Sequence, residues 1–568
     1  MSTPMLREFT TRTSIAYFSM EIALAYDIPT YSGGLGVLAG DTLRSAADLA
    51  LPILGITLVS RAGYFLQKID EQGRQSESPD MWEPSSRAEQ VNAKVAVEIE
   101  RRTVWVGAWL YRIKGQGGAE VPVLLLDTDL PENQLDDREI THFLYGKDAA
   151  YRLKQEIVLG VGGMRMLQAL GFHVRKHHLN EGHSAFLALE LLNNLEYRKQ
   201  DLHAGESPYD VPRVRSQCIF TTHTPVEAGQ DQFDYGLVER IADGEFMDMD
   251  EVRKLAGEGS LNMTRLALNL SDYVNGVAKK HAEVSQKMFP EYEVHAITNG
   301  VHPDTWTSEQ FAALYDNYFP GWRHEPELLV RVDQLPNQAI WDAHTNAKQK
   351  LLDRIKETSG QALDPTIPIL GFARRMTAYK RPDLLFTDLQ SLRSLHREHP
   401  FQLVMAGKAH PNDEGGKYLI EQLHQHMREL ANEVTVVYLP GYDMKLALEM
   451  VSGVDVWLNT PLRPLEASGT SGMKAAFNGV PSLSVLDGWW LEGCIEGVTG
   501  WAVGTSEIRS DIDDANDLYN KLGKVVLPLY YEDRAGWIAV MKDAISKNAS
   551  VFNTHRMIRR YATEAYMF

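Results

Sequence analysis

The chain has 568 residues, 44% of them hydrophobic, a formal net charge of −19 and two cysteines. Such a length carries two large domains or several small ones, and the negative balance argues against a general nucleic-acid binder or a protein held on an anionic membrane. Cys218 and Cys494 cannot build a disulfide framework or a multi-cysteine zinc site, residues 1–13 hold no signal-peptide core, no apolar run approaches transmembrane length, and a reducing, cytoplasmic setting is expected.

Residues 14–22, SIAYFSMEI, read as a buried strand that Glu21 ends. A glycine loop follows at 29–36, PTYSGGLG, and a helix over 37–51 carries Ala, Leu and Val on one face. Gly34-Leu-Gly36-Val-Leu-Ala39 formally matches a dinucleotide fingerprint. That reading is rejected: no strand runs directly into the loop, and no acidic residue ends a second strand at the expected offset. Close approach of a phosphate or sugar to the loop fits it better. Residues 53–60 form another strand, 71–137 read as β-hairpins decorating the first domain, and 149–170 as helix. In HVRKHHLNEGH, 173–183, His173 and His177 share an i, i+4 spacing that could bind a metal. No carboxylate or cysteine completes a set, so a structural cluster and no metal are expected. The strand 218–222 ends in Thr222-His223-Thr224-Pro225. A histidine there is placed to face a cleft, although a lone histidine is more often structural. Asn299-Gly300 reads as a turn by itself, with an amide able to meet a sugar hydroxyl.

Residues 311–365 are polar, proline-punctuated and helical, and read as a connector. The strand 367–372 then runs into Arg374, Arg375, Lys380 and Arg381. That edge of an open α/β sheet binds ligands, and cations disfavour a helix start, so the loop reads as an anion site. Strands at 402–405 and 434–439 lead to Gly407-Lys408-Ala409 and to Tyr442-Asp443. Between apolar runs at 454–458 and 483–486 lies EASGTSGMKAAFNG, 466–479. A helix is expected from Ser471 to Gly479, its first N–H groups facing an anion. Lys474 in its first turns opposes the helix dipole and calls for an anion or a covalent use. The plain alternative is an ordinary β-α-β turn with one exposed lysine.

Glu466-Ala-Ser-Gly-Thr-Ser-Gly-Met-Lys474 resembles the pyridoxal-phosphate lysine motif of the α-glucan phosphorylases, usually EASGTGNMK. Here Ser471-Gly472 stands for Gly-Asn. The glycine loop, with Ser32 for the usual Asn, the segment 64–69, Leu179-Asn-Glu-Gly-His183, the His223 segment, the stretch from Asn299 to Trp306 and the basic loop resemble further family segments in the same order. The resemblance runs from Tyr17 to Tyr566. It implies an α/β protein of the GT-B fold, two Rossmann-like doubly wound domains facing across a cleft, at 1–305 and 306–568, the last helices crossing back.

The resemblance also implies phosphorolysis of an α-1,4-glucan from its non-reducing end, giving glucose 1-phosphate with retained configuration. Lys474 would hold pyridoxal 5′-phosphate as a Schiff base, and the phosphate of that cofactor, with a second pKa of about 6, would assist as proton donor. Arg375 and Lys380 would clamp the substrate phosphate, and His223 would contact the sugar. Gly34, Leu35, Asn299, Glu466, Ser468 and Gly469 complete the substrate side by resemblance. Gly33, Trp306, Arg374, Tyr442, Thr470, Ser471 and Gly472 fall on the cofactor side. Asp443 stands where the family usually has an arginine, so Arg374 and Lys408 make up the charge or the cofactor site is weaker. The chain is shorter than most members and is expected to lack their N-terminal regulatory segment and phosphorylation switch. Expected partners are α-glucan, inorganic phosphate and a second copy in a homodimer, with no nucleic acid and no membrane. Three other readings stay open: a nucleotide-sugar glucan synthase on the same fold, a glucan-binding relative without cofactor, and a phosphorylase for a different glucoside.

Overall fold

The computed structural model describes residues 6–146, 148–197, 202–203, 207–243, 245–246 and 248–567. Two sheets set the architecture. In the first, the strands His295–Ala296, Tyr273–Gly276, Cys218–Thr221, Lys176–Asn180, Ile15–Phe18, Ile53–Leu58 and Glu120–Asp127 lie side by side and all parallel. Helices cover both faces, which is why Ile53–Leu58 is an unbroken buried run rather than an alternating one. The second sheet has six parallel strands in the order Val436–Leu439, Gln402–Ala406, Ile369–Ala373, Val456–Asn459, Ser482–Val485, Gly500–Val503. Two doubly wound α/β units of this kind, facing one another, make the GT-B fold.

In each sheet the first strand lies in the middle and the chain winds outward from it on both sides. The winding reverses between Ile15–Phe18 and Lys176–Asn180 in the first sheet, and between Ile369–Ala373 and Val456–Asn459 in the second. Ligands bind outside the carboxyl ends of the strands at such a point. Those ends carry Ser19 to Glu21 with Glu181 in the first unit, and Arg374 with Thr460 in the second.

The two edges meet. The hairpin of Leu66–Ile69 and Gln75–Ser78 reaches across with two buried glutamines. Gln67 donates to the Gly407 carbonyl at 2.9 Å and accepts from the Gly441 N–H at 2.9 Å. Gln75 closes a two-way bond with the backbone of Ala409. At the far end, Thr554–Tyr561 packs on Gly34–Asp48, with Met557, Ile558 and Tyr561 in the same apolar cluster as Leu38, Leu43 and Ile297.

Three expectations are corrected. Glu120–Asp127 is no decoration: it pairs in parallel with Ile53–Leu58, and Arg102–Lys114 extends the main sheet as an antiparallel neighbour. Alternation marks a strand, but its partner is chosen by tertiary packing. The glycine-loop helix starts at Gly34 and ends at Asp48, not over 37–51. The presumed connector contains Asn337–Ser359, a 23-residue helix with Ile340, Leu351, Leu352 and Ile355 in the core of the second unit. Most of its polar residues face solvent, but His344 and Lys348 are buried. His344 and Lys348 both bond Asp455, at 2.9 and 2.8 Å, so the Lys348 and Asp455 charges are matched inside the apolar layer. Among the described residues no helix is long and apolar enough to cross a membrane.

Candidate active site

The glycine loop is wrapped around Glu21, buried just beyond the central strand. Its carboxylate accepts the backbone N–H of Ser32 and of Gly33, the Ser32 hydroxyl at 3.1 Å and the Tyr145 hydroxyl at 2.9 Å. Gly36 is required by this closeness, since a Cβ there would lie 2.6 Å from Glu21 Oε2. The Gly33 N–H is thus engaged within the protein and not free for a ligand, but its Cα faces the cleft: an added Cβ would sit 3.4 Å from Nη2 of Arg375. Gly34 is exposed with open space beside it, and Leu35 is half-buried. At the start of this 15-residue helix the N–H groups of Gly34, Leu35 and Gly36 have no acceptor among the described residues, leaving its positive end toward Arg375.

The basic loop sorts its cations sharply. Lys380 is buried and donates to both oxygens of Glu466, at 2.8 and 2.7 Å. Arg374 donates to the same carboxylate at 2.8 Å and to Asn459, while its buried Nε has no partner among the described residues. Burial alone would raise the Glu466 pKa; the two cations reverse that and hold it down at about 2. Arg381 leaves the expected anion site altogether. It bonds Asp511, Asp514 and the carbonyls of Thr460 and Pro461. Arg375 is exposed in the cleft among Tyr64, Tyr145, Tyr379 and Glu21, with no hydrogen bond or ion pair among the described residues.

The loop below Glu466 is braced from behind. Asp487 accepts the Glu466 N–H at 2.9 Å, and Gly488 lies so close that a Cβ would be 2.4 Å from the Ser468 carbonyl. Gly469 has φ of 82° and abuts the Glu466 side chain. Thr470 then precedes the helix Ser471–Ala476 without a side-chain cap bond. Ser471 Oγ accepts the Trp457 indole N–H at 3.0 Å, and a Cβ on Gly472 would be 2.9 Å from Ser482 Oγ and from the Trp489 ring. The side chain of Ser471 and the missing one of Gly472 therefore serve close packing of helix on sheet.

Lys474 is 8% exposed, and its Nζ rests 3.6 Å from the centroid of the Trp306 ring. Among the described residues the Nζ has no hydrogen bond or ion pair. Burial pushes its pKa down to about 8, against the opposing field of Asp41. An amine so placed is a ready nucleophile toward a carbonyl near neutral pH. Asn478 bonds the carbonyls of both Lys474 and Trp306, at 3.0 and 2.8 Å, fixing the two together.

Asp443 has a local explanation. It caps the helix Met444–Gly453, accepting the Leu446 N–H at 2.8 Å. Tyr442 is a half-buried phenol beside Arg374, and Lys408 donates to the Phe65 carbonyl at 3.2 Å.

On the first-unit side a chain of hydrogen bonds fixes the His223 ring. The Ser19 hydroxyl donates to the Glu21 carbonyl, so its oxygen accepts from Asn180 Nδ2. Asn180 Oδ1 then accepts from His223 Nε2 at 2.7 Å. Burial, with neighbouring His281, His178 and His183, holds the ring pKa down at about 3, so at neutral pH Nδ1 carries a free lone pair. Asn299 Oδ1 and Ser468 Oγ are buried without partners among the described residues. Such orphans cost about 1–3 kcal/mol each and mark places for a polar ligand. The histidine-rich stretch does not form the i, i+4 pair considered for it: His173 is exposed while His177 is buried in a strand.

Glu21, Asn180 and Gln67 lie in stretches marked in the sequence but were not picked out as site residues, and neither were Asp41 and Gln75. The only signal available was polar residues within or beside apolar runs.

The carbohydrate phosphorylase model matches residues 176–496. The maltodextrin phosphorylase of Thermococcus litoralis is 40% identical over 97% of this chain and 70% of its own length. The glycogen phosphorylase of Aquifex aeolicus is 36% identical over 98% of the chain and 87% of its own; that of Mycobacterium tuberculosis is 35% identical, with 98% and 71% covered. From its sequence over nearly the whole length, the chain belongs to the carbohydrate phosphorylase family.

Proposed function

We propose that this protein cleaves α-1,4-glucans such as maltodextrin or glycogen with inorganic phosphate, from the non-reducing end, to give glucose 1-phosphate with retained configuration. The observation that carries this reading is the unpaired Arg375 facing the free N–H groups of the glycine-loop helix. A guanidinium and a helix N-terminus converging on one cleft suit a phosphate. A nucleotide-sugar synthase would need no buried free lysine, so that reading is less favoured.

The residues present fit pyridoxal 5′-phosphate. Lys474 offers an amine of lowered basicity, Trp306 an aromatic face, and Arg374 an unpartnered Nε. We infer that these, with the 470–472 backbone and Tyr442, hold the cofactor. When bound, it supplies a phosphate that can exchange a proton near neutral pH (second pKa about 6).

The chain's own residues do the rest. Arg375 binds the substrate phosphate and offsets charge as the glycosidic bond breaks. Lys380, locked to Glu466, keeps the wall of that site positive without moving. His223 Nδ1 accepts a sugar hydroxyl, and Asn299 Oδ1, Ser468 Oγ and the Gly469 backbone complete the sugar's orientation. Tyr64, Tyr145 and Tyr379 stand around Arg375, where their rings would limit water. We infer a division of the chain near 305/306, supported by the passage from Ile297 in a cluster of the first unit to Val301 and Trp306 in the core of the second, and a homodimer, which light scattering would test.

The reading is tested by incubating purified protein with pyridoxal phosphate, maltodextrin and phosphate, with Lys474→Ala alongside. Lysine-dependent release of glucose 1-phosphate is expected. Bound cofactor without release would move the substrate to another glucoside; neither cofactor nor release would sink the proposal.

A further inference from the structure

The helix Gly34–Asp48 carries a buried carboxylate that the proposed reaction does not use. Asp41 is 1% exposed. Its Oδ2 accepts the Trp306 indole N–H at 2.7 Å and the His302 backbone N–H at 3.1 Å, and its Oδ1 lies 3.3 Å from Arg44. The face of that same indole seats the Lys474 amine. An anion on one unit therefore grips the edge of a ring whose face holds a cation from the other. A negative charge at the N–H edge enriches the ring face and strengthens its hold on a cation.

We propose that Asp41 is a positioning residue for Lys474, acting through Trp306 to fix where the ε-amine rests and how firmly it keeps its proton. The inference rests on the cofactor-holding role of Lys474 proposed above. Asp41 joins three separate stretches: the glycine-loop helix, the turn at His302 and the lysine helix, which Asn478 ties to Trp306. Departure of the first unit from the second would withdraw the carboxylate from the indole edge, while Asn478 keeps the ring beside the amine.

The other charged groups nearby are matched. Arg44 also bonds the carbonyls of Ala23 and Leu24. His302 on the turn lies against Asp48, as does His555 on the C-terminal helix. Among the described residues Asp41 is the charge that raises the Lys474 pKa, against the burial that lowers it.

The test is competitive acetylation of the full-length protein, freed of carbonyl compounds, across the neutral and alkaline range, with Lys474 followed by mass spectrometry. Wild type should show a midpoint near 8. Asp41→Asn keeps the size and an acceptor for the indole but removes the charge, and the midpoint should fall by about one pH unit. Trp306→Phe removes the N–H handle and weakens the seat, and should shift it the same way. Circular dichroism and thermal melting establish that each variant is folded. Should Asp41→Asn not fold, Trp306→Phe carries the test. A purely structural role would lower the melting temperature and leave the midpoint in place; an unmoved midpoint in a folded variant overturns the proposal. Cofactor uptake is read separately by absorbance. Failure of wild type to take up pyridoxal phosphate would remove the proposed cofactor use while the acetylation midpoints still judged Asp41.

Discussion

The loop 374–381 and the helix Ser471–Ala476 each bury a lysine at the same edge of the second sheet, and they treat its charge in opposite ways. Lys380 meets both oxygens of Glu466, with Arg374 on the same carboxylate. Lys474 meets an indole face and, among the described residues, no carboxylate. A buried charge is tolerated when it is paired and hydrogen-bonded. Without a partner, burial favours the neutral form. The first arrangement makes a fixed positive wall, the second a reactive amine, from the same residue type about equally exposed.

The hardest blow to the contrast is Lys474→Ala. It should abolish glucose 1-phosphate release while leaving the fold intact, measured by phosphorolysis and melting side by side. A variant that unfolds would place Lys474 with Lys380 as a structural cation. Next comes Arg375→Ala, which removes the cation left unpaired in the cleft. Activity should fall about 10²–10³-fold, the scale for losing one transition-state donor, with no change in melting temperature. Equal loss from Arg381→Ala without loss of stability would erase the distinction between the free and the engaged arginine.

Glu466→Gln sharpens the comparison from the other side. It leaves Lys380 and Arg374 buried without their anion and should cost about 3 kcal/mol of stability, read by denaturant titration. The pH dependence has a definite sign. The folded Glu466 pKa, about 2, lies below its ordinary 4.5, so its contribution is full above 4.5 and is lost as pH falls toward 2. The variant should lose that acid-side slope. Lys474 acts in a separate window: its folded pKa of about 8 lies below 10.5, so stability should rise with pH between those values and Lys474→Ala should flatten the rise. Smallest is Asp443→Ala, expected to cost about 1 kcal/mol through its helix cap with phosphorolysis unchanged. A gain in cofactor affinity instead would show that its carboxylate opposes the cofactor phosphate.

Much was legible in the chain because it was local. The strand ending before Arg374, the glycine loop, and the helix from Ser471 toward Gly479 follow from apolar runs, turn residues and left-handed glycine. The helix Asn337–Ser359 was misread because His344 and Lys348 look like surface residues until Asp455 stands opposite them.

The sequence by itself determined the alternation of strands and helices, the position of Lys474 on its short helix and the clustering of cations after Ile369–Ala373. Only the tertiary structure decided which of those cations stays free. Lys380 finds Glu466 across 86 positions, Arg381 finds Asp514 across 133, and Trp306 finds Asp41 across 265. Backbone preferences act over a few neighbouring residues. The charge state of a buried group is set by whatever the fold brings within a few ångströms of it.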